Sequence, residues 1–300
     1  MKQKKLQERL KAVRIARKTS DLVVHRDWVQ VHLLAGFARS AMLSSTLVFK
    51  GGTALQKIFF GEAYRFSEDL DFTGLEGAPR GDDLLRALED LCTDVARETT
   101  ALIGEPVTLA LRRHEDASER QESFTIEFTL PWQERSFGGV KIEITFDEPV
   151  LLGAERRPLA VRYDDVTCEV LCYSIEEIVL EKTRGAPQTL MNTKKREATG
   201  KTWMRARSRD YYDLWSIVSS SIPISWDAVR GKLDDKCAVR GVSITGIGDV
   251  FIEEILDNVR KQWEAQLKDF VGGGLPDVEQ VLTALKPKLC ACLGWVDANT

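Results

Sequence analysis

Two aspartates two positions apart, Asp69 and Asp71, close the segment Arg65-Phe-Ser-Glu-Asp-Leu-Asp71, which follows Lys50-Gly-Gly-Thr-Ala-Leu55. On a strand, alternate side chains project from one face, so both carboxylates share a face and Leu70 and Phe72 share the other. Carboxylates this close repel, which raises one pKa unless a cation lies between them. Mg²⁺ takes one or two carboxylates together with substrate phosphates, so the pair suits a metal–nucleotide site. The Gly51-Gly52-Thr53 turn would present backbone N–H groups of a helix start to a phosphate, and Thr53 and Ser67 add hydroxyls. An Asp-x-Asp on an exposed strand edge is more often simply solvated, and the turn is not a Walker loop, because no Gly-Lys-Ser/Thr follows. A third acid strengthens the pattern. Lys141-Ile-Glu-Ile-Thr-Phe146 alternates, with Ile142, Ile144 and Phe146 on the core side and Glu143 and Thr145 opposite. Beside the 69–72 strand, Glu143 would join the pair, and three acids could hold two ions that activate a hydroxyl and stabilise a leaving pyrophosphate. Glu127, on the polar face of a neighbouring strand, is the alternative for that third place.

The elements that must position these residues follow from periodicity. Residues 2–18 form a basic amphipathic helix, and a second helix runs from Asp27 through Val31, Leu34 and Ala38. Strands are expected at 46–50 and 65–72, a short helix at 53–60, a long amphipathic helix at 82–103, and strands at 122–130 and 140–147. After about residue 170 the strand signals stop. Ser174-Ile-Glu-Glu177 is a capping box opening a helix to about residue 184, and further helices lie near 209–219, 249–270 and 276–290. The segment 185–207 reads as a loop, and the stripe Phe251, Ile255, Val259, Trp263 as core. The fold class is therefore α+β: a small mixed sheet with flanking helices over residues 1–170, then an α-helical half over 171–300.

Composition bounds the partners. The 300 residues carry a net charge of −4, which excludes a bulk polycation but not a local basic patch. No run of 18 apolar residues is present, and the charged N-terminal stretch reads as a helix rather than a signal sequence, so a cytoplasmic protein is expected. Six cysteines without paired CxxC spacing read as reduced thiols, and His25, His32 and His114 show no metal spacing. Residues 182–209 hold nine Lys and Arg against Glu197 alone, a local charge of +8, with Trp203 and Met204 interleaved. That suits a polyphosphate backbone such as tRNA, and an acidic protein partner is the alternative. Nine basic residues within 2–26 make a second such surface for RNA or a protein partner. Lys182 follows the apolar Ile178 and Val179 at helical spacing, so its ammonium either snorkels to the edge or enters a polar cleft, where it would suit the β- and γ-phosphates of an NTP. Asp213 is spaced to pair with Arg209, whereas Asp210 could orient Lys182.

Taken together, the Gly-Gly turn, the Asp-x-Asp strand and the later carboxylate resemble the nucleotidyltransferase fold of the DNA polymerase β superfamily. More narrowly, KGGTAL, RFSEDLDF, Glu181-Lys182 and Arg209-Asp-Tyr-Tyr-Asp-Leu214 resemble the AbiEii/MenT family of nucleotidyltransferase-like toxins in bacterial toxin–antitoxin and phage-defence systems, over residues 46 to 215. The resemblance implies use of NTP with Mg²⁺ or Mn²⁺, with Asp69 and Asp71 as metal ligands and a functional Lys and Asp at Lys182 and Asp210. It implies transfer of nucleotides to the 3′ acceptor end of tRNA, which blocks aminoacylation, and control by a cognate antitoxin. Glu143 stands where many polymerase β relatives have Asp. Rival readings are transfer to a protein or small-molecule hydroxyl, and a non-catalytic RNA- or partner-binding module on the same fold.

Overall fold

A computed structural model of the chain describes residues 2–115, 120–136, 138–200 and 203–296. Two compact units are formed: Met1–Val150, Ala154–Tyr173 and Asp269–Gly272 in the first, Leu151–Gly153, Ser174–Lys268 and Gly273–Thr300 in the second.

The first unit is built on a seven-stranded mixed sheet. Its strands are β1 (Leu47–Lys50), β2 (Asp69–Gly74), β3 (Thr108–Arg113), β4 (Gln121–Thr129), β5 (Gly139–Thr145), β6 (Ala154–Pro158) and β7 (Glu169–Tyr173), in the order β3-β4-β5-β2-β1-β7-β6. The pairs β2/β5 and β1/β7 are parallel and the other neighbours antiparallel. Three strands, β3, β6 and β7, were not expected. The first two are the edges of the sheet, where little side-chain area is buried, and β6 reads Ala-Glu-Arg-Arg-Pro, a charged edge closed by proline. Burial is therefore thin at these two edges, whereas β7 lies inside the sheet and buries Val170, Cys172 and Tyr173. The central strands alternate cleanly: Val140, Ile142 and Ile144 of β5 and Leu70 of β2 are fully buried.

Three helices frame this sheet. α1 (Gln3–Arg17) buries Leu6 and Leu10 and otherwise presents charge. α2 (Asp21–Arg39) starts earlier than the periodicity suggested, because the Ser20 hydroxyl accepts the Val23 N–H and caps it at Ser20. Beyond the short α3 (Leu43–Thr46) and β1, the chain enters α4 (Gly51–Ala54), which widens into a π-type turn over Leu55–Phe60. α5 (Gly81–Ile103) buries the stripe Leu84, Leu88, Leu91, Cys92, Val95, Thr99 and Ile103, with Asp82 and Asp83 in its first turn complementing the helix dipole.

The second unit is helical: α6 (Ile175–Glu197), α7 (Ser208–Val218), α8 (Trp226–Ala238), α9 (Glu253–Val271) and α10 (Val278–Leu293). α6 runs through the first part of the segment read as a loop, to Glu197, despite Gly185 and Pro187, while the described residues 198–200 and 203–207 are non-helical as expected. Its buried face continues between and past Gly185 and Pro187 as Ala186, Thr189 and Thr193, so packing outweighs the local breakers. α8 was not expected; its buried face is only Val229, Leu233, Lys236 and Cys237 among many charges. Lys236 is fully buried and pairs with Glu177 at 2.6 Å, and Glu177 also accepts the Leu151 and Leu152 N–H groups. Ile255, Val259 and Trp263 of α9 are core residues as expected. All six cysteines are free thiols, and no described helix is long and apolar enough to cross a membrane.

Candidate active site

Register decides what the carboxylates meet. β2 lies between β1 and β5, and directly paired residues share a face. Lys50, Asp71 and Glu143 form one row across the three strands, and Asp69 stands opposite Lys141 in the next. Asp69 and Asp71 are partly exposed on this face. Glu143 Oε1 accepts from Lys141 Nζ at 2.6 Å and from Gln121 Nε2 at 3.1 Å. Burial disfavours charge on Lys141, but the Glu143 hydrogen bond and the charges of Glu143, Asp69 and Asp71 outweigh it, so its pKa lies above the usual lysine value. Glu127 pairs with Gly139 and is exposed; the residue of β4 that faces Glu143 is Ser123.

The Gly-Gly turn belongs to the same construction. Gly51 adopts φ +79, and a Cβ there would collide with the Asp71 carboxylate, so only glycine lets the turn close against that aspartate. Thr53 is fully buried, and its hydroxyl donates to the Asp69 carbonyl oxygen. Its side chain therefore ties α4 to β2, and what it can offer a ligand is its backbone N–H. Ser67 is also buried, with its carbonyl oxygen held by Gln30 Nε2 at 3.2 Å. Lys50 extends over the Tyr173 ring at 5.5 Å. Beneath the turn, Lys57 donates to the fully buried Asp27 carboxylate at 2.5 Å, which also accepts from Gln56 (2.6 Å) and Tyr163 (2.8 Å). Burial would raise the Asp27 carboxyl, but Lys57 and Arg162 overcome it and hold it below the usual carboxylate range.

The chemistry of this face fits a divalent cation: two carboxylates on one strand and a third beside them, all oxygen donors of the kind Mg²⁺ prefers. Among the described residues, no three His, Cys, Asp or Glu side chains converge as a ready cage. The face thus carries Asp69 and Asp71 on one strand, with Glu143 adjacent and held by Lys141.

In the second unit, Lys182 of α6 meets α7. Its Nζ lies 2.9 Å from Asp210 Oδ1 and 2.7 Å from Asp213 Oδ2. Arg207 Nη1 bonds Asp210 Oδ2 at 2.7 Å, and its Nε bonds Thr189 Oγ1 at 2.6 Å. A Cβ on Gly185, one turn beyond Lys182, would stand 3.2 Å from both the Arg207 guanidinium and Asp210, so the bare helix surface there lets the pair approach. Asp213, read from spacing as a partner of Arg209, is fully buried and bridges to Lys182 as well. Lys50, Lys141 and Arg207 were not singled out as site residues. Lys50 and Lys141 flank the turn and the third acid, and strand parity alone could have placed Lys141 with Glu143.

Comparison with known proteins places the chain by family and by fold. The family described as nucleotidyl transferase AbiEii toxin, type IV TA system, matches residues 32–284. MenT4, a nucleotidyltransferase toxin from Mycobacterium tuberculosis H37Rv, superposes with a TM-score of 0.61 at 19% identity, covering 97% of this chain and 91% of its own. JHP933 from Helicobacter pylori does so with 0.53 at 16% identity, covering 92% and 94%. At these identities the likeness is one of fold. No curated protein sequence matches the chain.

Proposed function

The chain belongs to the AbiEii nucleotidyl transferase toxin family of type IV toxin–antitoxin systems, and from that premise we propose that it transfers a nucleotide from an NTP to the 3′ acceptor end of tRNA in the cytoplasm. The modified tRNA would no longer accept an amino acid, and translation would stop. The observation that carries the reading is the register that sets Glu143 beside Asp71, with Asp69 on the same face and the Gly51 turn closed against Asp71.

Asp69 and Asp71, with Glu143 beside them, would hold Mg²⁺ or Mn²⁺, which favours ionisation of an attacking hydroxyl and offsets the charge of a leaving pyrophosphate. The backbone N–H groups of Gly51, Gly52 and Thr53 would bind phosphate oxygens, with the Ser67 hydroxyl at hand. In the helical unit, Lys182, oriented by Asp210 and Asp213, is a cation suited to polyphosphate. The 3′ oxygen attacks the α-phosphorus, its proton is lost to solvent, and the bond to pyrophosphate breaks. An antitoxin partner follows from the family.

Incubation with each α-labelled NTP, Mg²⁺ and total bacterial tRNA tests this directly. Label should appear on tRNA with at least one NTP and fall by about 10²–10³ in Asp71→Ala. Label that persists in Asp71→Ala would remove the metal assignment, and folded wild-type protein that labels no tRNA with any NTP would overturn the acceptor.

A further inference from the structure

The nine cations between 182 and 209 are divided by folding. Four face the interior of the helical unit: Lys182 bridges Asp210 and Asp213, Arg184 donates to the Lys236 carbonyl oxygen at 2.9 Å, Arg207 holds Asp210 and Thr189, and Arg209 Nε donates to the Gln266 carbonyl oxygen at 3.2 Å. Lys201 lies outside the described residues. The cations left to solvent cluster at the end of α6 and just beyond it: Lys194, Lys195 and Arg205 are exposed. Between them stands Trp203, 57% exposed. Arg196 sits over it, its Cζ 3.8 Å from the ring centroid and its Nη1 donating to the Trp203 carbonyl oxygen at 3.4 Å.

Tryptophan is rarely left so open, because its ring is the largest apolar surface a side chain offers. Here it is braced by a guanidinium, in a stretch whose other exposed charges are Lys194, Lys195 and Arg205 against Glu197. A planar apolar face among cations matches a ligand with planar bases and a phosphate backbone. A duplex does not offer that match, since its bases are stacked on one another and only unpaired bases can lie on an aromatic ring. We propose that the Arg196–Trp203 pair is a stacking platform for an unpaired base of single-stranded RNA, whose phosphates are held by Lys194, Lys195 and Arg205. The proposal rests on the reading of the acceptor as RNA and adds what is recognised: an unpaired end rather than a helix.

Anisotropy of a labelled single-stranded RNA oligonucleotide with the full chain tests it, with a duplex of the same length as comparison. Trp203→Ala should weaken single-strand binding about tenfold at fixed salt, with an unchanged salt slope, and Trp203→Phe should restore most of it. Lys194→Gln with Lys195→Gln should instead flatten the salt dependence by roughly one unit of slope or more. Thermal melting of each variant separates lost contacts from lost fold. Single-strand binding within twofold of wild type in Trp203→Ala would overturn the proposal. So would equal binding of the duplex, a loss that Trp203→Phe fails to rescue, or a Trp203→Ala defect confined to an acidic peptide such as poly-Glu. Nucleotidyl transfer followed in parallel keeps the two readings apart. If tRNA is labelled equally by wild type and Trp203→Ala and binding is unchanged, only the platform falls; if label goes solely to a non-RNA acceptor, the RNA reading falls with it.

Discussion

At the residue scale, the acidic face is a grid of opposite charges rather than a bare carboxylate cluster. Asp69 and Asp71 face Lys141 and Glu143 across one strand gap, and Lys50 follows on the other side. The Lys141 ammonium binds the carboxylate of Glu143 and lies in the field of Asp69 and Asp71, so it competes electrostatically with any cation drawn to this face. Removing it should make the face a better cation site. A lysine charge beside the carboxylates repels a divalent ion, so Lys141→Met should bind Mn²⁺ about tenfold more tightly. Calorimetric titration reads this, and unchanged or weaker binding would refute it. Gly51 makes a sharper prediction. Alanine there would carry both a strained φ and a clash with Asp71. Displacing that carboxylate by even an ångström should lower transfer about 10²-fold, and wild-type rates in Gly51→Ala would show that the turn does not govern Asp71.

At the element scale, the Gly-Gly turn is held from behind. The Thr53 hydroxyl ties α4 to β2, and the π-type turn after it is locked to α2 through Lys57 and Gln56 on Asp27. Asp27 has no solvent exposure. Breaking a buried pair by removing one partner costs about 3–5 kcal/mol, because the remaining charge is stranded. Lys57→Met should therefore destabilise the sheet unit by about that amount in urea denaturation, and a loss under 1 kcal/mol would mean Arg162 and Tyr163 suffice. α6 shows the opposite balance between local signal and packing. Gly185 and Pro187 break the helical pattern in sequence, yet the buried residues on both sides keep one continuous helix from Ile175 to Glu197.

At the scale of the whole molecule, the net charge of −4 conceals strong local fields. One of them couples stability to pH. Burial would raise the Asp210 carboxyl, but Lys182 and Arg207 outweigh it and hold its pKa well below the usual carboxylate range. A carboxyl lowered by folding stabilises the native state above its unfolded value, near 3.9, and that contribution is lost as pH falls below it. Asp210→Asn should therefore weaken the fold at pH 7 and flatten the loss of stability between about pH 4 and 2. Urea denaturation at both ends of that range measures it. A variant whose stability falls as steeply in acid as the wild type would place the pH dependence elsewhere.

The sequence alone determined what depends on short range. Period-two alternation set Asp69 with Asp71 and Glu143 away from Ile142 and Ile144, and the Ser174 cap and the stripes of α5 and α9 marked helices, because each signal lies within a few residues of chain. The mixed α+β class and the family motifs were legible for the same reason. Tertiary structure alone decided the register that puts Glu143, and not Glu127, beside Asp71, since strand pairing joins residues about seventy positions apart. It also decided the thinly buried edge strands β3 and β6 and the passage of α6 through Pro187. The basic stretch shows the division most plainly. Its charge could be counted from the sequence, but burial against Asp210, Asp213 and backbone carbonyls determined which cations were neutralised inside and which were left, around Trp203, for a partner.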